Sequence, residues 1–327
     1  MKKKKDKLYI FLHMHKTGGT TMVEHIEKNF KPEEVLRLYP QEILKLYPKS
    51  KYKDNQAKNF FQQLGFARYN KYLKDYFESL SSERKSKIKV IYGHGVFYGI
   101  HNFFDKEARY IAFFRHPMSR TVSWYNYFRG LSKDANLAGL PALRKLVNQN
   151  LSINGKIPNF DSWIDKKYDT SLQMIEFLRI RKFLEKKSNY TLEDIQNALK
   201  KFYFVGLTET SEVDALYLYG IWRIKKFSPN INISKKRVLP EEIKKLKRKI
   251  IDKNMPDVKL YKCASEMNKR FKKENKNFYK VVNNVSFRRN LFLSFIFILE
   301  KFYQISAKLR KSSKSYSKAL DLFKNQF

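Results

Sequence analysis

Residues 8–23 read LYIFLHMHKTGGTTMV, an apolar run followed by a glycine pair and then by apolar residues at helical spacing. The pattern predicts a strand, a tight loop and a helix that begins directly behind the loop. Glycines let the loop backbone approach a ligand closely, and loop N–H groups and a helix N-terminus both favour an anion. We therefore expect an anion-binding loop, lined by Lys16, Thr17, Gly18, Gly19, Thr20 and Thr21.

The order of these residues separates the loop from that of nucleotide kinases. Their G-x-x-x-x-G-K-[ST] pattern places the lysine after the second glycine, whereas Lys16 precedes Gly18 and Gly19. The stretch H-x-H-K-T-G-G-T-T resembles the phosphosulfate-binding loop of sulfotransferases that use 3′-phosphoadenosine 5′-phosphosulfate (PAPS). The resemblance implies that Lys16 contacts the phosphosulfate and takes part in catalysis.

A second phosphate motif follows the apolar run 110–114. Arg115 ends this predicted strand, Pro117 suits the first position of a helix, and Ser123 lies two turns further on. A guanidinium fork and a hydroxyl in this relation can hold one phosphate. Residues 115–125 match every written position of the sulfotransferase pattern R-x-P-x-x-R-x-x-S-x-Y, which implies that Arg115 and Ser123 bind the 3′-phosphate of PAPS.

A histidine follows another short apolar run, in Val90–Phe97. The Gly-His pair at 93–94 and the aromatic residue behind it resemble carbohydrate sulfotransferases of the heparan sulfate 2-O and 6-O type. That resemblance implies that His94 is the general base, a role that suits histidine because its pKa lies near neutrality. The alternative is a hydrogen-bonded histidine at a strand end with no catalytic part.

The resemblance continues through V-G-L-T-E at 205–209 and D-x-x-L-Y at 257–261, so it spans 8–271. It implies transfer of a sulfuryl group from PAPS to an acceptor hydroxyl, most plausibly of a carbohydrate, without a metal. The H-x-H pair His13 and His15 also invites a zinc interpretation, but no cysteine or third histidine lies near it in the sequence. We expect acceptor recognition in 32–88 and 131–172.

Two rival functions remain open at this point. A nucleotide-dependent kinase of similar topology requires a lysine after the glycine pair and a metal-holding aspartate. A non-catalytic basic protein that binds membranes or nucleic acid explains the charge but not the spaced phosphate motifs. We expect no specific nucleic-acid partner.

Composition bears on the partner and the compartment. The chain has 327 residues and a formal net charge of +37, which reflects either codon bias or an acidic partner such as a polyanionic glycan or a lipid surface. The single cysteine, Cys263, excludes an intramolecular disulfide. The basic start leads straight into the first predicted strand, so we expect no signal peptide or anchor, a cytoplasmic location and a bacterial type of enzyme.

Predicted strands near 8–13, 88–92, 109–114 and 202–206 alternate with helical patterns. These indicate an α/β fold with a P-loop-like central parallel sheet and helices on both faces. We expect a basic tail at 1–7, a sulfotransferase domain at 8–284 and a basic, amphipathic helical extension at 285–327. The apolar stretch 291–299 is too short to span a bilayer, which needs about 20 residues.

Three roles are open for the extension. It packs on the domain, forms a dimer, or lies in an anionic membrane interface with its basic side chains toward headgroups. The basic residues in question are Arg288, Arg289, Lys301 and Lys308. The third role would make the enzyme peripheral at the inner membrane face.

Overall fold

The computed structural model describes residues 5–39, 66–138, 156–166, 171–179, 189–228 and 238–309. In this part of the chain five strands form one sheet in the order β2-β3-β1-β4-β5, and every neighbouring pair is parallel. The strands are β1 (Lys7–Leu12), β2 (Val35–Arg37), β3 (Val90–Gly93), β4 (Glu107–Phe114) and β5 (Phe204–Leu207). This confirms the predicted parallel α/β fold.

The sheet is buried on both faces, which is why its strands read as continuous apolar runs rather than as alternating ones. Residues 8–12 of β1 are all buried. In the centre of the sheet, Leu12 lies level with Gly93 of β3 and Ala112 of β4. The loops that follow β1, β3 and β4 therefore open at the same edge, and all three carry predicted site residues.

Helices cover both faces of the sheet. They are α1 (Gly19–Asn29), α2 (Phe66–Ser79), α3 (Ser82–Lys87), α4 (Pro117–Ala138), α5 (Phe160–Lys166), α6 (Leu172–Met174), α7 (Leu192–Leu199), α8 (Ser211–Ile221), α9 (Pro240–Lys253), α10 (Met255–Glu274) and α11 (Phe278–Leu309). A π-helical turn, Ile175–Arg179, continues α6. Sequence patterns predict helices near 20–30, 70–80, 117–129, 191–200, 240–253 and 257–275, which correspond to α1, α2, α4, α7, α9 and α10. The helix α8 was missed because it reads as a solid apolar run without helical spacing. The strand β2 was also missed because it has only three residues.

The helix α11 runs unbroken through the predicted boundary at 284, so the division of the chain into domain and extension stays a prediction. Its first turns pack on α8. A Cβ at Gly220 would lie 2.3 Å from Val281 Cγ1, so the two helices are in close contact. Arg288 donates a hydrogen bond to the Ile224 carbonyl (2.8 Å), and Arg289 pairs with Glu212 (2.8 Å). These two arginines are directed at the domain, not outward as the membrane-interface prediction had them.

Beyond Val285 the same helix exposes large apolar side chains. Five of them lie at helical spacing and form what we call the α11 stripe: Phe287, Leu291, Phe295, Ile298 and Phe302. Between 49% and 69% of each of these residues is exposed. Among the residues that the structure describes, no helix combines the length and apolar character needed to cross a membrane.

Candidate functional site

The loop between β1 and α1 is strained and close-packed. Lys16 has a φ of 64° and Gly18 a φ of 82°, both in the left-handed region that costs a non-glycine residue free energy. A Cβ on Gly19 would lie 2.3 Å from His13 Cδ2, so only glycine lets α1 begin this close to the histidine ring. The loop therefore keeps its N–H groups at the start of α1 in a fixed arrangement.

Hydrogen bonds tie this loop to its neighbours. The buried Thr17 hydroxyl donates to the Met14 carbonyl (3.0 Å). The Thr208 hydroxyl lies within hydrogen-bond distance of the Thr17 carbonyl (2.8 Å) and the Phe114 carbonyl (3.2 Å), so it bridges the ends of β1 and β4. Because its hydroxyl and carbonyl are already bonded, Thr17 can contact a ligand only through its backbone N–H. Thr20, by contrast, is exposed at the start of α1.

Lys16 lies among other cations. Its Nζ is 4.3 Å from the centroid of the Tyr127 ring, a cation–π contact with α4. Burial, followed by the positive charges of Arg115 and Arg120, lowers the pKa of Lys16 to about 8. An anion bound here would relieve this repulsion, which marks the loop as a site for negative charge.

Arg115 leaves the end of β4 toward the same loop. Its Nη1 donates to the Lys16 carbonyl (3.2 Å), while its Nε is buried without a hydrogen-bond partner among the described residues. The Gln173 side chain fixes the Arg115 backbone by accepting from its N–H (2.9 Å) and donating to its carbonyl (3.1 Å). Burial lowers the pKa of Arg115, as expected for a guanidinium held in a pocket.

The helix α4 adds a cation to which sequence reasoning gave no role. Arg120 is fully buried, and its Nε donates to the His15 carbonyl (3.2 Å). Its Nη1 and Nη2 are buried with no partner in the described part of the chain. Ser123, one turn further along α4, is also buried. Because a buried guanidinium without acceptors is costly, these nitrogens indicate a place prepared for an anion.

Three imidazoles meet beside the loop. The His94 Nδ1 lies 2.6 Å from the His13 carbonyl. Since a carbonyl only accepts, His94 donates from Nδ1, and its Nε2 is an acceptor in the neutral ring. The His94 ring stacks on His15 at 3.8 Å between centroids and lies 4.7 Å from His13. Burial and the two neighbouring imidazoles lower the pKa of His94 to about 2.

The group that holds His15 could not be expected from any pattern in the sequence. The buried Glu176 carboxylate, on the π-helical turn, accepts from the His15 backbone N–H (3.2 Å) and pairs with the His15 Nδ1. The His13 Nδ1 lies 2.6 Å from the Tyr39 hydroxyl. Within the described residues no group of three or more His, Cys, Asp or Glu side chains could hold a metal, so the structure offers no support for zinc at His13 and His15.

The downstream motifs hold the site in place. Glu209 accepts from the His116 N–H (2.9 Å) at the start of α4 and from the Tyr261 hydroxyl (3.0 Å). The fully buried Asp257 accepts from the Gln173 N–H (3.2 Å) and the Met174 N–H (2.7 Å) at α6. Burial raises the pKa of Asp257 to about 6. Both carboxylates therefore fix the segments that carry the pocket side chains.

A family model described as "Sulfotransferase family" matches residues 2–280, which include all five described strands and every described helix before α11. The chain belongs to the sulfotransferase family. The family predicted from the two phosphate motifs is thus confirmed, and with it an enzyme that transfers a sulfuryl group from a sulfonate donor to an acceptor hydroxyl. A comparison with curated proteins found no match. The carbohydrate class of acceptor and the bacterial type stay predictions.

Proposed function

We propose that this sulfotransferase uses PAPS as its donor and a carbohydrate hydroxyl as its acceptor. The assignment of PAPS as the sulfuryl donor is supported by the convergence of Lys16, Arg115 and Arg120 at the loop. Three of the buried guanidinium nitrogens there lack partners among the described residues. PAPS carries a phosphosulfate at one end of its ribose and a phosphate at the other. Such a ligand would supply acceptors to all three cations.

The binding roles follow from the chain's own residues. Lys16 and the loop N–H groups would bind the 5′-phosphosulfate, with the Thr20 and Thr21 hydroxyls at the start of α1. Arg115 and Ser123 would hold the 3′-phosphate, which distinguishes PAPS from ATP. Charge-assisted hydrogen bonds of this kind are the strong ones, and each contributes about 1.5–3 kcal/mol.

Transfer would then proceed by in-line displacement. The acceptor oxygen bonds to sulfur, and the bond between sulfur and the bridging oxygen breaks, its electron pair remaining on the 5′-phosphate of the product 3′-phosphoadenosine 5′-phosphate (PAP). Lys16 would stabilise the charge growing on that oxygen. The acceptor proton would pass to the imidazole cluster, where His94 is the base suggested by sequence. We expect no metal to be required.

The two rival functions explain less of the site. A kinase-type loop would place a lysine after Gly19, where Thr20 and Thr21 stand. A merely basic protein does not require guanidinium nitrogens buried behind a loop. For the acceptor, the net charge of +37 favours an anionic glycan, and the His94 motif supports a carbohydrate by resemblance.

Ligand-induced stabilisation tests the donor. PAP should raise the melting temperature more than ATP, ADP or AMP at equal concentration, because bound ligand stabilises by RT ln(1 + [L]/Kd). Radiolabelled PAPS applied with the enzyme to an array of neutral and uronate-containing oligosaccharides tests the acceptor. A larger shift with ATP than with PAP would contradict the donor assignment, and transfer to phenols but to no glycan would contradict the acceptor class.

We further propose that the α11 stripe contacts an anionic membrane surface, which would place the enzyme peripherally at a membrane. The exposed stripe is the observation that favours it. Lys301 lies within the length of the stripe, and basic residues continue beyond it with Lys308, Arg310, Lys311, Lys314 and Lys318. Apolar side chains beside such charges suit a surface that combines acyl chains with anionic headgroups.

A further inference from the structure

Two histidines in the imidazole cluster can accept a proton at Nε2. His94 donates from Nδ1 to the His13 carbonyl, and His15 uses its Nδ1 to pair with the Glu176 carboxylate. Because each Nδ1 faces a group that accepts, each neutral ring carries its hydrogen there and leaves Nε2 as an acceptor. The sequence pointed to His94 alone, so the geometry raises the question of which ring takes the acceptor's proton.

Glu176 holds His15 at two points. Its two carboxylate oxygens engage the backbone N–H and the ring Nδ1 of His15, and the residue is only 5% exposed. Its π-helical turn follows α6, whose first N–H groups are held by Asp257. A carboxylate fixed in this way selects the tautomer of the imidazole and stabilises the imidazolium form.

Electrostatics distinguish the two rings. They stack at 3.8 Å, so a positive charge on one disfavours a second charge on the other. The charged groups around His15 are Glu176, the adjacent Lys16 and Arg120, which bonds the His15 carbonyl. The His94 ring stacks on the His15 ring, and the Trp124 ring lies edge-to-face with it at 5.8 Å between centroids. Of the two rings, only His15 has a carboxylate bonded to it within the described part of the chain.

Solvent exposure also favours His15 over His94 as the proton acceptor. The His15 side chain is 40% exposed and precedes Lys16 in the loop, so it borders the place where the phosphosulfate would bind. Burial and the neighbouring imidazoles hold the pKa of His94 far below its usual range, which makes His94 a weak base. An exposed ring can also release its proton to solvent after transfer.

We propose that His15 is the catalytic proton acceptor of this enzyme, that Glu176 is its positioning residue, and that His94 remains neutral and orients the His15 ring by stacking. The inference rests on the proposed sulfuryl transfer. As the acceptor oxygen bonds to sulfur and the electron pair of the broken bond leaves with PAP, the hydroxyl proton moves to His15 Nε2. The imidazolium then loses this proton to solvent, which restores the neutral ring.

Three variants separate the roles of His15, His94 and Glu176. In the two histidine variants, asparagine keeps a hydrogen-bond donor near the position of the imidazole Nδ1 and removes Nε2. The three variants are His15→Asn, His94→Asn and Glu176→Gln, with His101→Asn as a matched control outside the site. With the best oligosaccharide from the array, His15→Asn should lower kcat ~10²–10⁴-fold and abolish the acidic limb of the pH profile. PAP affinity should not change. Glu176→Gln should lower kcat less than His15→Asn does, and it should shift the acidic limb of the pH profile to lower pH. His94→Asn should retain the acidic limb.

A limb that persists in His15→Asn and disappears in His94→Asn would overturn the proposal. Nuclear magnetic resonance of ¹⁵N-labelled imidazoles decides it without an acceptor. In the free enzyme, and equally in its PAP complex, the neutral His15 ring should carry its hydrogen on Nδ1 only, and His94 should stay neutral along the acidic limb. A neutral His15 ring with its hydrogen on Nε2, or protonation of His94 along the acidic limb, would refute it. Failure of wild-type enzyme to bind PAP or to transfer sulfate would instead refute the proposed function and leave this resonance test standing.

Discussion

The donor pocket and the C-terminal half of α11 leave opposite kinds of groups without a partner, polar nitrogens in the pocket and apolar side chains on the helix. The pocket buries polar nitrogens of Arg115 and Arg120 without acceptors in the described chain, whereas the α11 stripe exposes apolar side chains to water. A buried unsatisfied polar group costs about 1–3 kcal/mol, and an apolar side chain left exposed forgoes about 1.5–3 kcal/mol of burial. Each region thus suits the partner proposed for it: a compact anion for the pocket and an extended apolar layer for the stripe.

The two regions also differ in how firmly they are held. The pocket is fixed by Thr208, Gln173, Glu209 and Asp257, which come from three separate segments. The helix α11 is held through its first turns, including Phe278, Val282 and Val285 in the core. We therefore expect substitutions in the pocket to change catalysis and substitutions in the stripe to change location.

The largest effect should come from Lys16→Met, which keeps the side-chain stem and removes the charge. We expect kcat to fall at least ~10²-fold, the scale for losing one contact made to developing charge. Lys259→Met, at an exposed position on α10, is the control. Steady-state kinetics with radiolabelled PAPS measures the effect, and a near-normal kcat would remove Lys16 from the reaction.

Arg115→Gln should weaken PAP binding while leaving AMP binding nearly unchanged, because AMP lacks the 3′-phosphate. A lost charged contact of about 1.5–3 kcal/mol corresponds to roughly 10- to 150-fold in Kd. Calorimetric titration of both ligands into both proteins measures the difference. An equal loss for PAP and AMP would place Arg115 away from the 3′-phosphate.

The stripe should respond to a double substitution, Phe295→Ser with Phe302→Ser. We expect binding to vesicles of phosphatidylcholine with phosphatidylglycerol to fall roughly tenfold, because two rings no longer enter the interface. Added salt should weaken the wild-type binding. Tyr279→Ser, an exposed ring two turns before the stripe, is the control.

Co-sedimentation of the protein with vesicles that contain or lack the anionic lipid measures this binding. Equal sedimentation of wild type and the double variant would contradict the membrane proposal. A concentration-dependent dimer that the double variant abolishes would assign the stripe to a second copy of the chain.

The smallest effect concerns protons taken up by the pocket. With a pKa of about 8, roughly three quarters of Lys16 is neutral at pH 8.5. PAP favours the charged form, so binding at pH 8.5 should take up a fraction of a proton, and affinity should fall as pH rises above 8. Calorimetry in buffers of different ionisation enthalpy measures this uptake, which Lys16→Met should remove. Unchanged uptake in that variant would assign the proton to another group.

Sequence by itself determined the parallel sheet, the strand–loop–helix at Lys16 and the family. These features depend on residues that are neighbours in the chain: apolar runs make strands, and Gly18 and Gly19 shape the loop. Because parallel strands align their carboxyl ends, the alternation of strands and helices also placed Lys16, His94 and Arg115 at one edge of the sheet.

Only the tertiary structure decided which groups in the pocket are paired. The Glu176 carboxylate reaches His15 across 161 positions, and Asp257 holds Gln173 across 84. Whether Arg120 is buried, and whether the α11 stripe is covered, likewise depends on packing between distant segments. Such pairings leave no local pattern, because each partner alone reads as an ordinary charged or apolar residue, and only the folded chain brings the two within bonding distance.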